Sequence, residues 1–409
     1  MKAVVIGATG RQGKGVIDYL LKQKDVTEVV ACARRMDKVK GLIESLRDDR
    51  LQPKFIDVSE RKNTVEALKG ADVAINCAYE GYNTDEDYVN LELVTTQAAL
   101  EAGVNYVGLG GAPPAPEQLA LGNDFERKDI LAILGMGILT GLLQIMAAYA
   151  INRLDRTDRV DMRYGERDLV PPEEHTQPLA LGPKLGPKGE IELSYGFLNS
   201  TRFRYCVESV SYENRKLIYA ASRGNPEPYI FRGPIGTLTV TQSPGSAVIS
   251  LSRSFPEIKH ITLKTAGNPD FDKNVGLLRD LGFFGNIPIN VKGKMVSPWD
   301  VLIALIGKLP PETKAPDIRS EARVVVCGEE AGKEVEYSIS WLRIGSSAAK
   351  VHIIASSGLC AAISAVMLGR RQTKGKGVLM PEVCIPPELF LNEFANAGME
   401  IEIVKKMKV

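Results

Sequence analysis

The segment Gly7-Ala8-Thr9-Gly10-Arg11-Gln12-Gly13 carries three glycines at a spacing of three, directly after the apolar run Lys2–Ile6. Glycines so placed permit a tight turn and let the main chain approach a pyrophosphate. A helix that starts there turns its free N–H groups toward the anion. Gly7, Thr9, Gly10, Arg11, Gln12 and Gly13 are therefore candidate dinucleotide contacts, with a ligand-free strand–helix turn as the alternative. The next strand-like run, Glu28–Ala33, ends in Arg34-Arg35, and no acid follows before Asp37. An acid at this place would bind the ribose 2′-OH of NAD. Two guanidinium groups instead suit a 2′-phosphate, which arginine binds bidentately. The pair favours NADP(H) as cofactor, with NAD(H) the alternative and two solvated arginines the plain reading. Asp57-Val58 and Asn76-Cys77-Ala78 end two further strand-like runs. Asp57, Val58, Cys77 and Ala78 join the cofactor candidates because ligands of open α/β sheets bind beyond the carboxyl ends of the strands.

Acid–base candidates are fewer. Tyr79 and Glu80 follow the fourth strand and are placed to face such a crevice. His175, in the loop Pro171-Pro172-Glu173-Glu174-His175, is either an acid or base or an ordinary loop histidine. Arg202 and Arg204 lie two apart in Thr201-Arg202-Phe203-Arg204-Tyr205. On a strand both would face one side and clamp a substrate carboxylate, or form a solvated face. Tyr212 and Lys216 have the Tyr-x-x-x-Lys spacing, but in a hairpin pattern rather than on a helix, which argues against a catalytic pair. No GxSxG occurs, so the common hydrolase elbow is absent. The six cysteines form no CxxC pair and the three histidines are isolated, so no metal is expected.

Alternating strand-like and helix-like runs must position these residues. The strand candidates are Lys2–Ile6, Glu28–Ala33, Lys54–Val58, Asp72–Ala78, Asn105–Leu109 and Ala132–Met136; helical spacing marks Gly13–Lys22, Lys38–Leu46, Arg61–Lys69 and Asp85–Glu101. Such alternation predicts an α/β fold with a doubly wound parallel sheet. From Asp158 to Ser254 the pattern turns to short strands and loops. Val207–Tyr212 and Leu217–Ala221 predict a hairpin, Arg323–Cys327 pairs with Val335–Trp341, and Leu359–Leu368 is helical. The second unit is therefore an α+β domain with a mixed or antiparallel sheet. The division runs 1–139 plus 357–409 for the first domain and 140–356 for a substrate-binding and dimerisation domain.

The 409 residues are 44% hydrophobic and 25% charged, within the globular range. With 51 basic and 50 acidic side chains the net charge is +1, which gives no reason to expect nucleic acid or a membrane surface as partner. Residues 130–151 hold no charge and are long enough to span a bilayer. Gly135, Gly137 and Gly141 interrupt that run, which suits a buried strand, turn and helix better. No leader is apparent at the N-terminus, and the expected setting is a reduced cytoplasm.

The chain resembles the saccharopine dehydrogenase family, including its lysine 6-dehydrogenase-like members. The likeness rests on Gly7–Gly13, Cys32-Ala33-Arg34, Asp72–Asn76, Glu101–Val107 and the Gly137–Gly141 turn. Further on it rests on Gly276–Phe283, Val296–Leu302, Gly375–Glu382 and Pro387–Phe394. The resemblance implies a Rossmann NAD(P)-binding domain, a second domain that pairs through its sheet in a homodimer, and final helices packed back on the first domain. It implies hydride transfer at a C–N centre of an amino acid or imine-derived substrate. The chain reads Leu139-Thr140-Gly141 where the family has Asp-Pro-Gly, and Ser356-Ser357-Gly358-Leu359 where it has an aromatic-Pro step. Enoyl-reductase-like reduction of a C=C bond and a non-catalytic NADP-binding dimer are the alternatives.

Overall fold

A computed structural model describes residues 1–78, 90–110, 115–177, 184–185, 191–192, 195–314, 316–344 and 353–407. The first half alternates strand and helix: β1 (Lys2–Ile6), α1 (Arg11–Leu21), β2 (Glu28–Ala33), α2 (Met36–Leu46), β3 (Leu51–Phe55), α3 (Arg61–Leu68), β4 (Val73–Asn76), α4 (Leu91–Ala102), β5 (Asn105–Gly108), α5 (Pro116–Ala120), α6 (Gly122–Arg127), β6 (Leu131–Ile133) and α7 (Leu142–Ile151). The second unit begins with β7 (Arg156–Asp168), the two-residue strands β8 (Lys184–Leu185) and β9 (Ile191–Glu192), and α8 (Tyr195–Cys206). It continues through β10 (Ser209–Glu213), β11 (Lys216–Ala220), β12 (Glu227–Ile230), β13 (Thr237–Gln242), α9 (Ser246–Ser254), β14 (His260–Ala266) and α10 (Pro269–Asp280). β15 (Ile289–Val291), β16 (Lys294–Val296), α11 (Pro298–Ile306), β17 (Ile318–Glu330) and β18 (Lys333–Arg343) follow, then α12 (Ile353–Gly369), β19 (Gly377–Leu379), α13 (Pro381–Cys384), α14 (Pro387–Asn396) and β20 (Glu400–Met407).

Seven parallel strands form the first sheet in the order β19-β6-β5-β4-β1-β2-β3. The order reverses between β1 and β4, and that break opens a crevice at the strands' carboxyl ends. Central strands are apolar on both faces: Ala3, Val4, Val5 and Ile6 are fully buried, as are Ala74 and Ile75. β3 starts three residues earlier than its apolar pattern predicts. It is an exposed edge strand, so it tolerates Pro53, and the buried Ile56 and Val58 lie just beyond it.

The second sheet has nine strands in a mixed arrangement: β11-β10-β14-β7-β17-β18-β20, with β12 and β13 joined through β14. β7 runs parallel to β14 and antiparallel to β17. Asn214 and Arg215, both at positive φ, make the two-residue turn of the β10–β11 hairpin. Ala331 and Gly332 do the same for β17–β18, a shorter link than the sequence suggests. The long β7 interrupts the expected run of short strands and loops; its alternation of Val160, Met162 and Tyr164 inward with Arg159, Asp161 and Arg163 is the strand signature.

Residues 130–151 become β6, a glycine turn and the buried helix α7, and no helix among the described residues is long and apolar enough to cross a membrane. Helices α7, α12 and α14 lie between the two sheets, so one core joins Val5 and Ile75 of the first to Val160, Val324 and Trp341 of the second. Trp341 meets Phe394 of α14 edge-on at 6.4 Å. The chain's return is shared. β19 extends the first sheet beside β6, but β20 pairs with β18 and extends the second, where the sequence pattern had sent all of 357–409 to the first domain.

Candidate functional site

The glycine turn packs main chain closely against main chain. Gly7 has φ +76°, and a Cβ there would come within 2.8 Å of the Ala78 nitrogen. A Cβ on Gly13 would overlap the Gly7 carbonyl, so α1 approaches the turn as closely as it does only because that position is bare. Gly7 and Ala8 donate to the Cys32 carbonyl, which ties the turn to the end of β2. Gly10 caps α1 without a side-chain hydrogen bond, and the first turn has no acid. The N–H groups of Arg11, Gln12 and Gly13 therefore open into the crevice at the positive end of the helix. Arg11 reaches solvent, yet surrounding protein desolvates its guanidinium and pulls its pKa down to about 10. It stays cationic at neutral pH, and no carboxylate among the described residues pairs with it.

Beyond β2, Arg34 and Arg35 are both exposed. Asp57 accepts from the Ser59 hydroxyl and N–H, which hold its carboxyl below the usual range, and the Arg34 charge lowers it further. Val58 is buried beside it. Bare glycines, an open helix start and two exposed arginines at the β2 end fit a dinucleotide carrying a 2′-phosphate.

The far wall holds groups that sequence reasoning missed. Glu92, in the first turn of α4, accepts from the Tyr106 hydroxyl at 2.6 Å and the Gly110 N–H at 3.1 Å. Burial raises its pKa against those hydrogen bonds. A Cβ on Gly108 would come within 2.5 Å of the Glu92 carboxylate, so the bare strand end admits that side chain. Asn76 is fully buried; its Oδ1 accepts from Ala78, while its Nδ2 completes no well-formed hydrogen bond but lies near enough to lower the Glu92 pKa. Burial, and then Glu92, push the Cys77 thiol well above its ordinary pKa, so Cys77 is a wall rather than a nucleophile. Tyr79 and Glu80 lie outside the described residues.

The returning helix packs against the start of α1. The Gly358 N–H donates to Gln12 Oε1 at 2.7 Å, and a Cβ on Gly358 would fall 2.5 Å from the Gln12 carbonyl. Gln12 thus commits its side-chain oxygen to α12. The β6–α7 turn carries Gly141 at φ +95°, where a Cβ would meet the carbonyls of Gly135 and Gly137 at 2.8 Å. Gln144 accepts from the Gly141 N–H and donates to the buried Glu382 at 2.8 Å. Ser250 and Ser254 of α9 donate to the other Glu382 oxygen.

In the second sheet, charges converge where β7 and β18 end. The Tyr164 hydroxyl donates to Glu166 at 2.6 Å. Burial acts to lower the Arg204 pKa, but Glu166, Tyr205 and Asp272 raise it beyond its ordinary value. Arg343 feels the same carboxylate and Tyr164; burial and the Arg319 charge outweigh them and lower its pKa. Arg202 and Arg204 lie on α8, not on a strand. Residues two apart on a helix point to nearly opposite sides, so the paired clamp does not form. Arg202 Nε donates to the Phe284 carbonyl at 2.9 Å, and its guanidinium lies over Trp299. Arg204 lies over the Tyr205 ring instead, where it feels the charge of Glu166. His175 Nε2 lies 3.1 Å from Asp168, and its Nδ1 is 3.6 Å from Glu312. Burial raises the Glu312 pKa, but N–H groups of Lys314, Thr176 and Gln177 outweigh it and leave the carboxyl below its usual range. His175 therefore ties the Pro-rich loop to the end of β7.

Residues 3–133 match the family model described as the saccharopine dehydrogenase NADP binding domain. Across 97% of the chain and 96% of the relative, 22% of residues are identical to the carboxyaminopropylagmatine dehydrogenase of Synechocystis sp.. The fold is similar to that of apo saccharopine dehydrogenase (L-Glu forming) from Saccharomyces cerevisiae, with a TM-score of 0.72, 15% identity and 100% of both chains covered.

Proposed function

Since the chain is a saccharopine dehydrogenase-like NAD(P) oxidoreductase whose residues 3–133 form the NADP-binding domain, we propose that it transfers hydride at a C–N bond of a carboxylate-bearing amino acid or its imine. The observation that carries this reading is the cluster of Arg204 and Arg343 around the Tyr164–Glu166 pair. A planar cation matches a substrate carboxylate in charge and shape. A hydrogen-bonded carboxylate beside it favours a protonated nitrogen. The names of both relatives point the same way: one acts on a carboxyaminopropyl-substituted amine, and the other forms L-Glu.

When bound, the dinucleotide supplies or accepts the hydride. The chain's own residues do the rest. Gly7–Gly13 and Arg11 take the pyrophosphate, and Arg34 with Arg35 takes the 2′-phosphate. Asp57, Val58, Cys77 and Ala78 line the crevice. Arg204 orients the substrate carboxylate. In the amine-forming direction the protonated imine carbon gains hydride and the nitrogen keeps its proton, so no further acid is consumed in that step. Imine formation and hydrolysis need an acid or base, for which Glu166 is the residue best placed; Tyr79, Glu80 and His175 are the others. All six cysteines are free thiols, which suits a reducing, cytoplasmic setting. The partner is a second copy of the chain, docked through the second domain.

Titration with NADPH and NADH, followed by nicotinamide fluorescence, tests the cofactor assignment. Arg34→Asp should weaken NADPH about ten- to a hundredfold and leave NADH nearly unchanged, since charge-assisted hydrogen bonds are worth about 1.5–3 kcal/mol. Equal losses for both cofactors would remove the 2′-phosphate role. A screen of 2-oxo acids paired with amines, read as NADPH consumption, tests the reaction. Arg204→Met should raise the KM of a turned-over oxo acid at least tenfold without altering NADPH affinity. Turnover of enoyl compounds alone would overturn the C–N assignment.

A further inference from the structure

Ser320, near the start of β17, is fully buried, yet its hydroxyl completes no well-formed hydrogen bond. In the second sheet it is paired with Glu166 of β7 on one side and Arg343 of β18 on the other. The three side chains therefore stand in a row on one face. Tyr164, two residues before Glu166, shares that face, and its hydroxyl donates to Glu166 at 2.6 Å. The Ser320 hydroxyl also lies close enough to Tyr164 to lower its pKa. Ser340, buried on the neighbouring strand, does find a partner and donates to Glu321 at 3.3 Å. An idle hydroxyl in so closed a place is costly, because burial strips its water and returns nothing.

Tyr164 supplies a use for such a group. Burial, and then the Glu166 charge, hold the Tyr164 hydroxyl far above its ordinary pKa, so it keeps its proton. A phenol has one hydrogen to donate. While Glu166 is ionised, that hydrogen goes to the carboxylate. Once Glu166 takes up a proton, its own O–H turns to the Tyr164 oxygen, and the Tyr164 hydrogen needs another acceptor. The cations that face Glu166, Arg204 from α8 and Arg343 from β18, only donate. Asp317, beside Arg343, is held by Arg319, and Asp272, beside Arg204, by Tyr205 and Arg223. The Ser320 oxygen is the acceptor at hand. We propose that Ser320 is a positioning residue for Glu166: it receives the Tyr164 hydrogen whenever Glu166 is protonated. The hydrogen bond between Tyr164 and Glu166 then reverses direction, and the only bond made or broken is the Glu166 O–H. The carboxyl can gain and return a proton without stranding a buried donor. This rests on the reading of Glu166 as the acid or base of imine formation and hydrolysis.

The dependence of kcat on pH, measured with NADPH, an amine and a 2-oxo acid, tests the proposal. Glu166→Gln should lack one limb of the wild-type profile or lose turnover altogether. Ser320→Ala should move that limb to lower pH by about one unit, since the protonated carboxyl is the state that loses an acceptor. Its NADPH affinity should be unchanged and its melting temperature should not fall, because the deleted hydroxyl had no well-formed bond. Ser340→Ala, the control, should melt lower and keep the wild-type profile. In a Tyr164→Phe background Ser320→Ala should have no further effect, because the route through the phenol is gone. A limb that Ser320→Ala leaves in place, or moves equally in the Tyr164→Phe background, overturns the proposal and leaves hydride transfer at the C–N bond standing. A Glu166→Gln variant with the wild-type profile removes the roles of both Glu166 and Ser320. Absence of turnover with every 2-oxo acid and amine removes the C–N reading itself, and the role of Ser320 falls with it.

Discussion

Glu382 is 4% exposed and holds three elements together through Gln144, Ser250 and Ser254. Burial pushes its carboxyl above the ordinary 4.5, and the three hydrogen bonds only offset part of that rise. Between the unfolded and folded pKa values the folded chain binds more protons than the unfolded one. The stability this residue contributes is therefore whole below about 4.5 and is lost as pH rises through the higher folded value. Glu382→Gln removes the titration. Wild type should melt higher than the variant at about pH 4, and the gap should narrow or reverse by pH 8. A gap independent of pH would show that folding leaves the Glu382 pKa unchanged. This carboxyl ends one of the segments that carry the family likeness, but nothing in the sequence marked its role. It sits in a short helix, and its partners lie 128 or more residues away in the chain. The glycine cradle was legible for the opposite reason, because Gly7, Gly10 and Gly13 act on each other within one turn.

At the scale of elements, local periodicity located the first sheet well and the second poorly. β1, β2, β4, β5 and β6 are buried on both faces, so their apolar runs stand out in the sequence. The helix α8 gave no such signal, because Arg202 and Arg204 lie among aromatics and have no apolar stripe beside them. Their true neighbours, Trp299 for one and Glu166 for the other, come from distant segments. The resemblance implied that the final helices pack back on the first domain, but the closeness of α12 to α1 at Gly358 had no signal in the periodicity. Gly358→Ala sets a methyl 2.5 Å from the Gln12 carbonyl, a main-chain atom that cannot swing aside. Relief requires α12 to lift from the dinucleotide turn. The substitution should cost about 1–3 kcal/mol of stability, the usual range for overpacking. It should also weaken NADPH at least several-fold, because the turn that cradles the phosphates moves with Gln12. Thermal melts and the fluorescence titration read the two effects separately; a loss of stability with unchanged NADPH affinity would show that the turn holds its shape without α12.

At the scale of the molecule, the two sheets share a single core rather than meeting at a wet interface. α7 leaves the crevice of the first sheet and packs on β7 and β17 of the second, while α12 packs on β4 and β5 and touches α14, which reaches Trp341. An apolar seam of this kind makes relative unfolding of one half expensive, since the other half is left with exposed Val160, Val324 and Trp341. Calorimetry should accordingly show one endothermic transition. On the proposed reading NADPH binds at the first sheet's edge, yet at a hundred times its Kd it should raise that single transition by about 2.7 kcal/mol, or roughly 3 °C for a chain of this size. The small core around Phe284 is outside the shared seam, and fraying there adds no major transition. Two major transitions of which NADPH moves only one would mean that the seam transmits no stability, and that the sheets close on substrate as independent bodies.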